Sequence, residues 1–132
     1  MKTTVNMETE NINPITAAFI NDKSPIMDTI HDSLIASNVD VIFRSDNIAN
    51  GNKQFSSLKT LPDVCIIDLD FSDKDISTQL RALRSQYPTM KFIAHSDIDD
   101  EKVIKMLFEF GFSKYVLIGE DIKKAIDGIC YI

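Results

Sequence analysis

Short apolar runs alternate along this chain with longer segments in which apolar residues recur every three or four positions. Runs too short for a helix are typical of strands that are buried on both faces of a parallel sheet. The longer segments have the periodicity of amphipathic helices. Regular alternation of the two predicts a parallel sheet built from βα repeats, with helices covering both of its faces.

Capping signals place the predicted helices between the strands. Pro25 fits the first turn of a helix capped by Ser24, and Gly111 fits the end of a later helix. The predicted strands cover residues 15–20, 39–43, 64–67, 91–95 and 115–118. The first predicted helix is capped at residue 24, and the fourth begins with residues 99–101. The other predicted helices cover residues 48–58, 77–87 and 120–129. This pattern predicts a flavodoxin-like (βα)5 three-layer sandwich of α/β class, with strand order 2-1-3-4-5.

Two of these helices have a predicted buried stripe. The stripes are Ile26, Met27, Ile30, Leu34 and Ile35 in the first helix, and Val103, Ile104, Leu107 and Phe108 in the fourth.

Composition narrows the class of protein. The 132 residues suit one domain, 44% of them are apolar, and the net charge of -6 disfavours direct binding to nucleic acid. Residues 1–13 are polar and predict a disordered N-terminal arm, which leaves residues 14–132 as the domain. Cys65 and Cys130 lie in apolar contexts and favour buried thiols of a cytoplasmic protein. The sequence contains no predicted membrane span or secretory signal.

Acidic side chains follow two of the predicted strands. Asp22 comes after the first strand, with Asn21 before it, and Asp68 and Asp70 come after the third. In open α/β sheets the ligand crevice lies at the carboxyl ends of the strands, and strands one and three are neighbours in the predicted order. Converging carboxylates suit Mg²⁺, and a carboxylate can accept a phosphoryl group. Ser96, at the end of the fourth strand, could donate a hydrogen bond to it.

Simpler interpretations of the same residues stay open. Aspartate and serine at strand ends often cap helices or face solvent in turns. His31 and His95 are isolated histidines with no spacing typical of a metal site. Tyr115 suits either half-buried packing or a switching role.

The segment PDVCIIDLD, residues 62–70, resembles the phosphoacceptor strand of the receiver domains of two-component response regulators. Ser96 follows Asp68 by 28 positions, and Gly111 and Tyr115 also fall at the family's spacing. The resemblance implies a signalling domain rather than an enzyme, with Asp68 as phosphoacceptor. It implies Mg²⁺ held by Asp22, Asp68 and the backbone carbonyl of Asp70, with Ser96 contacting the phosphate and switching together with Tyr115.

Several residues depart from the family's pattern. Asn21 replaces one carboxylate of the acidic pair on strand one, and Ile118 stands where the family has its switch lysine. Asp97 follows Ser96 where a small residue is usual. Lys23 and Lys114 are the nearest candidates for the missing positive charge. The sequence therefore predicts an atypical receiver domain.

The last eight residues, AIDGICYI, are similar to the end of receivers that precede a LuxR-type DNA-binding domain. The resemblance thus implies a sensor histidine kinase as a partner, self-association as a homodimer, and control of a transcriptional output. The output domain that binds DNA would lie beyond residue 132. No contact with a membrane is expected.

Two other functions remain open from the sequence. The segment IIDLDFSD, residues 66–73, also resembles the nucleophile motif of haloacid-dehalogenase-type phosphatases, with Asp68 as nucleophile and Asp70 as general acid. A phosphorylation-independent interaction module is the other alternative.

Overall fold

The computed structural model describes residues 14–21, 25–69, 71 and 74–130. The predicted arm over 1–13, the cap Ser24, and the predicted ligands Asp22 and Asp70 lie outside these residues. The same holds for the side chains of Ile26 and Met27 in the first helix.

Strands and helices alternate along the described residues. The strands are β1 (Thr16–Asn21), β2 (Asp40–Ser45), β3 (Val64–Asp68), β4 (Lys91–Ser96) and β5 (Lys114–Leu117). The helices are α1 (Pro25–Ala36), α2 (Ile48–Ser56), α3 (Lys74–Gln86), α4 (Glu101–Glu109) and α5 (Ile122–Cys130). Each predicted element is present, and α3 begins three residues earlier than the expected start at Ser77.

The strands form one parallel sheet of order β2-β1-β3-β4-β5. This confirms the predicted flavodoxin-like (βα)5 fold and its strand order. The central strands are almost wholly apolar because helices cover both faces of the sheet. The pairing of β1 with β2 is irregular between Ala17 and Ala18, where the register skips Ile42.

The sheet separates two cores because successive side chains of a strand point to opposite faces. One core packs under α2, α3 and α4 and contains Phe55, whose ring lies 5.0 Å from Phe43 and 5.3 Å from Tyr87. The other core packs under α1 and α5 and includes Phe19 and Ile66. Full burial of these large side chains supplies most of the driving force for folding.

Two residues of the predicted stripes are exposed. Ile35 is 52% exposed and Phe108 is 48% exposed, although both were expected in buried stripes. Each follows a fully buried leucine, Leu34 or Leu107. One residue corresponds to about 100° of rotation around a helix, so the neighbour of a core residue turns away from the sheet.

Helix ends follow the predicted signals in α4. The side chain of Asp100 accepts a hydrogen bond from the backbone N–H of Lys102 at 2.9 Å and caps the helix. Gly111 follows the last turn with φ of +98°, a conformation that glycine adopts without strain. No helix of the described part is long and apolar enough to cross a membrane.

Candidate functional site

Three polar side chains lie side by side at the carboxyl ends of β1, β3 and β4. Asn21 pairs with Asp68 in the sheet register, and the β3–β4 register places His95 beside Asp68 on the other side. Paired residues of neighbouring parallel strands point to the same face, and the strands lie about 4.8 Å apart. Asn21 and His95 are buried, whereas the Asp68 side chain keeps 17% of its surface exposed. Asp68 is thus the member of the row that a ligand can reach.

His95 contacts Asp68 directly. Its Nδ1 lies 3.2 Å from Oδ2 of Asp68, and the imidazole is 1% exposed. A carboxylate that is ionised only accepts hydrogen bonds, so beside an ionised Asp68 the donor of this contact is the Nδ1–H of His95. Sequence reasoning missed this contact because it treated His95 as isolated. The predicted strand order contained the signal, since it places strands three and four side by side.

Arg44 lies on the other side of the row, on β2. Its Nε donates to Oδ1 of Asn21 at 2.9 Å, and its Nη1 pairs with the carboxylate of Asp28. The contact fixes the orientation of the Asn21 amide. The Nδ2 of Asn21 is buried and has no hydrogen-bond partner among the described residues. Sequence reasoning also missed Arg44, because a charged residue near the end of an edge strand is usually only solvated.

A cavity of about 380 Å³ opens beside this arginine. It is lined by Asn21, Asp28, Arg44, Ser45 and Asp46. The cavity connects the row of polar side chains to solvent on the β2 side of the sheet.

Ser96 and Tyr115 meet at the carboxyl end of β4, where Ser96 follows His95. The Oγ of Ser96 accepts a hydrogen bond from the backbone N–H of Ile98 at 3.0 Å, and the hydroxyl of Tyr115 donates to the Ile98 carbonyl. Burial raises the pKa of Tyr115, a hydrogen bond from Ser96 lowers it, and nearby carboxylates, chiefly Asp99, raise it further. The phenol therefore stays uncharged at neutral pH. The predicted switch pair is in contact in this structure.

Ile118 lies where the resemblance implies a lysine. Its backbone N–H donates to the Ser96 carbonyl at 2.9 Å, so this residue is held against the end of β4. Lys114 is exposed at the first residue of β5, in register with Ile93, and so lies at the opposite end of that strand. Lys23 falls outside the described residues. The residue that follows the end of β5 at position 118 is therefore apolar.

The predicted Mg²⁺ ligands are only partly described. The His95 contact uses one lone pair of Oδ2, and a carboxylate has about four, so Asp68 can still bind a hard divalent cation. Oδ1 of Asn21 already accepts from Arg44. The described residues form no cluster of three acidic, histidine or cysteine side chains. Asp68 thus fits a cation as one ligand, and the rest of the predicted set, Asp22 and the carbonyl of Asp70, lies outside the described part.

Comparison with known proteins gives a clear answer on the fold. No protein-family model matches the sequence, and no curated protein matches it. Solved structures do match. The response regulator RcsB of Salmonella typhimurium superposes with a TM-score of 0.76 at 16% identity, over 89% of this chain and 60% of that one. The chain has the receiver fold.

Two further structures carry the same fold. The isolated receiver domain of RcsB, in the presence of the phosphomimetic BeF3⁻, gives a TM-score of 0.75 at 16% identity, over 89% of this chain and 88% of that chain. A LuxR-family response regulator from an Aurantimonas species gives a TM-score of 0.73 at 18% identity, over 88% of this chain and 84% of that chain. This chain spans only about 60% of full-length RcsB.

Proposed function

We propose that this chain is an atypical receiver domain of a response regulator, in which Asp68 accepts a phosphoryl group. One observation carries the proposal: in a sheet with the receiver fold, Asp68 stands at the carboxyl end of the central strand β3, and its side chain is partly exposed between Asn21 and His95. This is the position at which open α/β sheets bind ligands.

The proposed reaction is a phosphoryl transfer to the carboxylate. Oδ1 of Asp68 forms a bond to phosphorus while the bond from phosphorus to the donor's leaving group breaks, and the leaving group takes that electron pair. Ser96 accepts from the Ile98 N–H through its oxygen, so its hydroxyl hydrogen can turn toward a phosphoryl oxygen. Tyr115 would move with it, because both side chains share Ile98.

A Mg²⁺ ion suits the same site. Asp22, Asp68 and the backbone carbonyl of Asp70 are the residues that would hold it. When bound, the ion supplies positive charge that screens these carboxylates from an incoming phosphoryl group.

Ile118 makes the proposed switch weaker than one built with a lysine. An apolar side chain at this position adds no positive charge next to the phosphoryl group. Arg44 provides a cation on the β2 side instead, but its Nε and Nη1 are occupied by Asn21 and Asp28. We therefore expect a modest conformational response to phosphorylation.

The wider role follows from the neighbours in fold. Structures of RcsB include dimers bound to DNA. For this chain we propose that residues 14–132 form the receiver domain, receive the phosphoryl group from a sensor histidine kinase, and self-associate to control a transcriptional output carried by another domain.

Intact-mass spectrometry after incubation with acetyl phosphate and Mg²⁺ tests the proposal. We expect the mass of one phosphoryl group on the wild-type chain and none on the Asp68→Asn variant. Asp40→Asn is the matched control, because Asp40 is an exposed aspartate at the opposite end of the sheet. An adduct that persists in Asp68→Asn, or a wild-type chain without one, would contradict the proposal.

A second candidate is an interaction module that works without phosphorylation. The apolar side chain at Ile118 and the engagement of Asn21 by Arg44 both favour it. It predicts that Asp68→Ala leaves the oligomeric state unchanged in sedimentation experiments.

A further inference from the structure

His95 is the buried side chain closest to the proposed chemistry and has no role in the mechanism above. It belongs to β4, which pairs with β3 on one side and β5 on the other, so its backbone is held on both edges. The imidazole is 1% exposed and cannot turn into solvent without opening the core. Its direction is therefore fixed by the sheet.

The contact also fixes the carboxylate of Asp68. Within the described residues, the side-chain hydrogen bond to Asp68 is the one from Nδ1 of His95 to Oδ2. The Asp68 side chain keeps 17% of its surface exposed, and Oδ1 has no side-chain hydrogen bond among the described residues. A nucleophile that is held in one orientation avoids the entropy cost of finding it during the reaction.

We propose that His95 is a positioning residue for Asp68: its Nδ1–H holds Oδ2 so that Oδ1 is presented as the nucleophile. This inference rests on the proposed function. As the Oδ1–phosphorus bond forms, Oδ2 becomes the carbonyl oxygen of the acyl phosphate and can still accept the same hydrogen bond. His95 keeps its proton throughout and forms no bond to phosphorus.

Two variants separate the hydrogen bond from simple packing. His95→Asn retains an N–H donor at nearly the position of Nδ1, whereas His95→Leu keeps apolar volume and has no donor. In the acetyl phosphate experiment we expect His95→Leu to react roughly tenfold more slowly than wild type, since misplacing a reacting group costs about one to two orders of magnitude. We expect His95→Asn to recover most of that loss.

A measurement on the unreacted protein tests the hydrogen bond itself. The ¹⁵N chemical shifts of the imidazole should show hydrogen on Nδ1 of His95 in the wild type, and this preference should disappear in Asp68→Ala. His31 is the matched control, because it lies on α1 and its ion pair is with Asp32. Its shifts should not respond to Asp68→Ala.

The outcomes distinguish this inference from the proposed function. The positioning role is overturned if the imidazole of His95 carries hydrogen only on Nε2, or if its tautomer is the same in Asp68→Ala as in the wild type. This holds even when Asp68 is phosphorylated. The role is also overturned if wild type and His95→Leu take up the phosphoryl group at equal rates. The same conclusion follows if His95→Leu and His95→Asn are both folded and react equally slowly. If the wild-type chain accepts no phosphoryl group, the proposed function is overturned, together with the reaction that His95 would serve. The tautomer of His95 still shows whether its hydrogen bond to Asp68 exists. Circular dichroism confirms that each variant is folded.

Discussion

The two sides of Asp68 differ sharply in their chemistry. Toward β1 and β2 lie an amide, a guanidinium and a carboxylate, those of Asn21, Arg44 and Asp28. Toward the end of β5 lie the uncharged Tyr115 and the apolar Ile118. The resemblance implies a cation on the β5 side, yet the guanidinium that contacts this row of side chains, that of Arg44, lies on the opposite side. The fold of a receiver can therefore be kept while the charges around its central aspartate are rearranged.

The largest effect is expected from removing the charge on the β2 side. Arg44→Met leaves the buried Oδ1 of Asn21 without its donor, and Nδ2 already lacks a partner in the described part of the chain. An unsatisfied buried polar atom costs about 1–3 kcal/mol, so we expect a loss of that size in the free energy of unfolding. Urea denaturation measures it.

Arg81→Met is the matched control for this loss. Arg81 is exposed and its guanidinium lies over the ring of Phe110 at 4.9 Å, a contact that contributes about 0.5–1 kcal/mol. Equal losses in the two variants would show that the Asn21–Arg44 contact is no stronger than a surface one.

A smaller effect is expected from adding charge on the β5 side. Ile118→Lys should increase the rate of phosphoryl uptake by Asp68 roughly fivefold, because a charge pair at a solvent-accessible site contributes up to about 1 kcal/mol. Ile118→Met is the control for side-chain length and should react like the wild type. A rate unchanged by the lysine would mean that the β5 side does not take part in the reaction.

The smallest effect concerns pH and Tyr115. Burial raises the pKa of this phenol above its ordinary value of about 10, so the folded state binds its proton more tightly than the unfolded state. The resulting stability is complete below pH 10 and is lost as the pH rises through the folded-state pKa. Tyr115→Phe should flatten the fall in unfolding free energy above about pH 10, whereas Tyr87→Phe should retain it. A slope that is the same in all three proteins would contradict this assignment.

The sequence predicted the elements that depend on local pattern. The apolar run of β3 placed Asp68 at a strand end, and the order of the sheet followed from the alternation of strands and helices. No contacts were predicted for His95 and Arg44, because their partners depend on how residues of neighbouring strands are aligned. No local sequence pattern contains that alignment. Ile35 and Phe108 were assigned to the core because apolar character was taken as a sign of burial. The roles proposed for Asp68, Ser96 and Tyr115 remain predictions.

The skipped residue in the pairing of β1 with β2 determines where Arg44 points. With the skip at Ile42, Arg44 pairs with Phe19 and shares a face with Asn21. Uninterrupted pairing would match it with Ile20 and turn it to the opposite face. The single skipped residue in the edge strand β2 thus decides whether a guanidinium lies next to Asn21 in the cavity at the ends of β1 and β2. Deletion of Ile42 should therefore leave Arg44 paired with Phe19, whereas pairing Ile42 with Ala18 would turn the guanidinium away from Asn21.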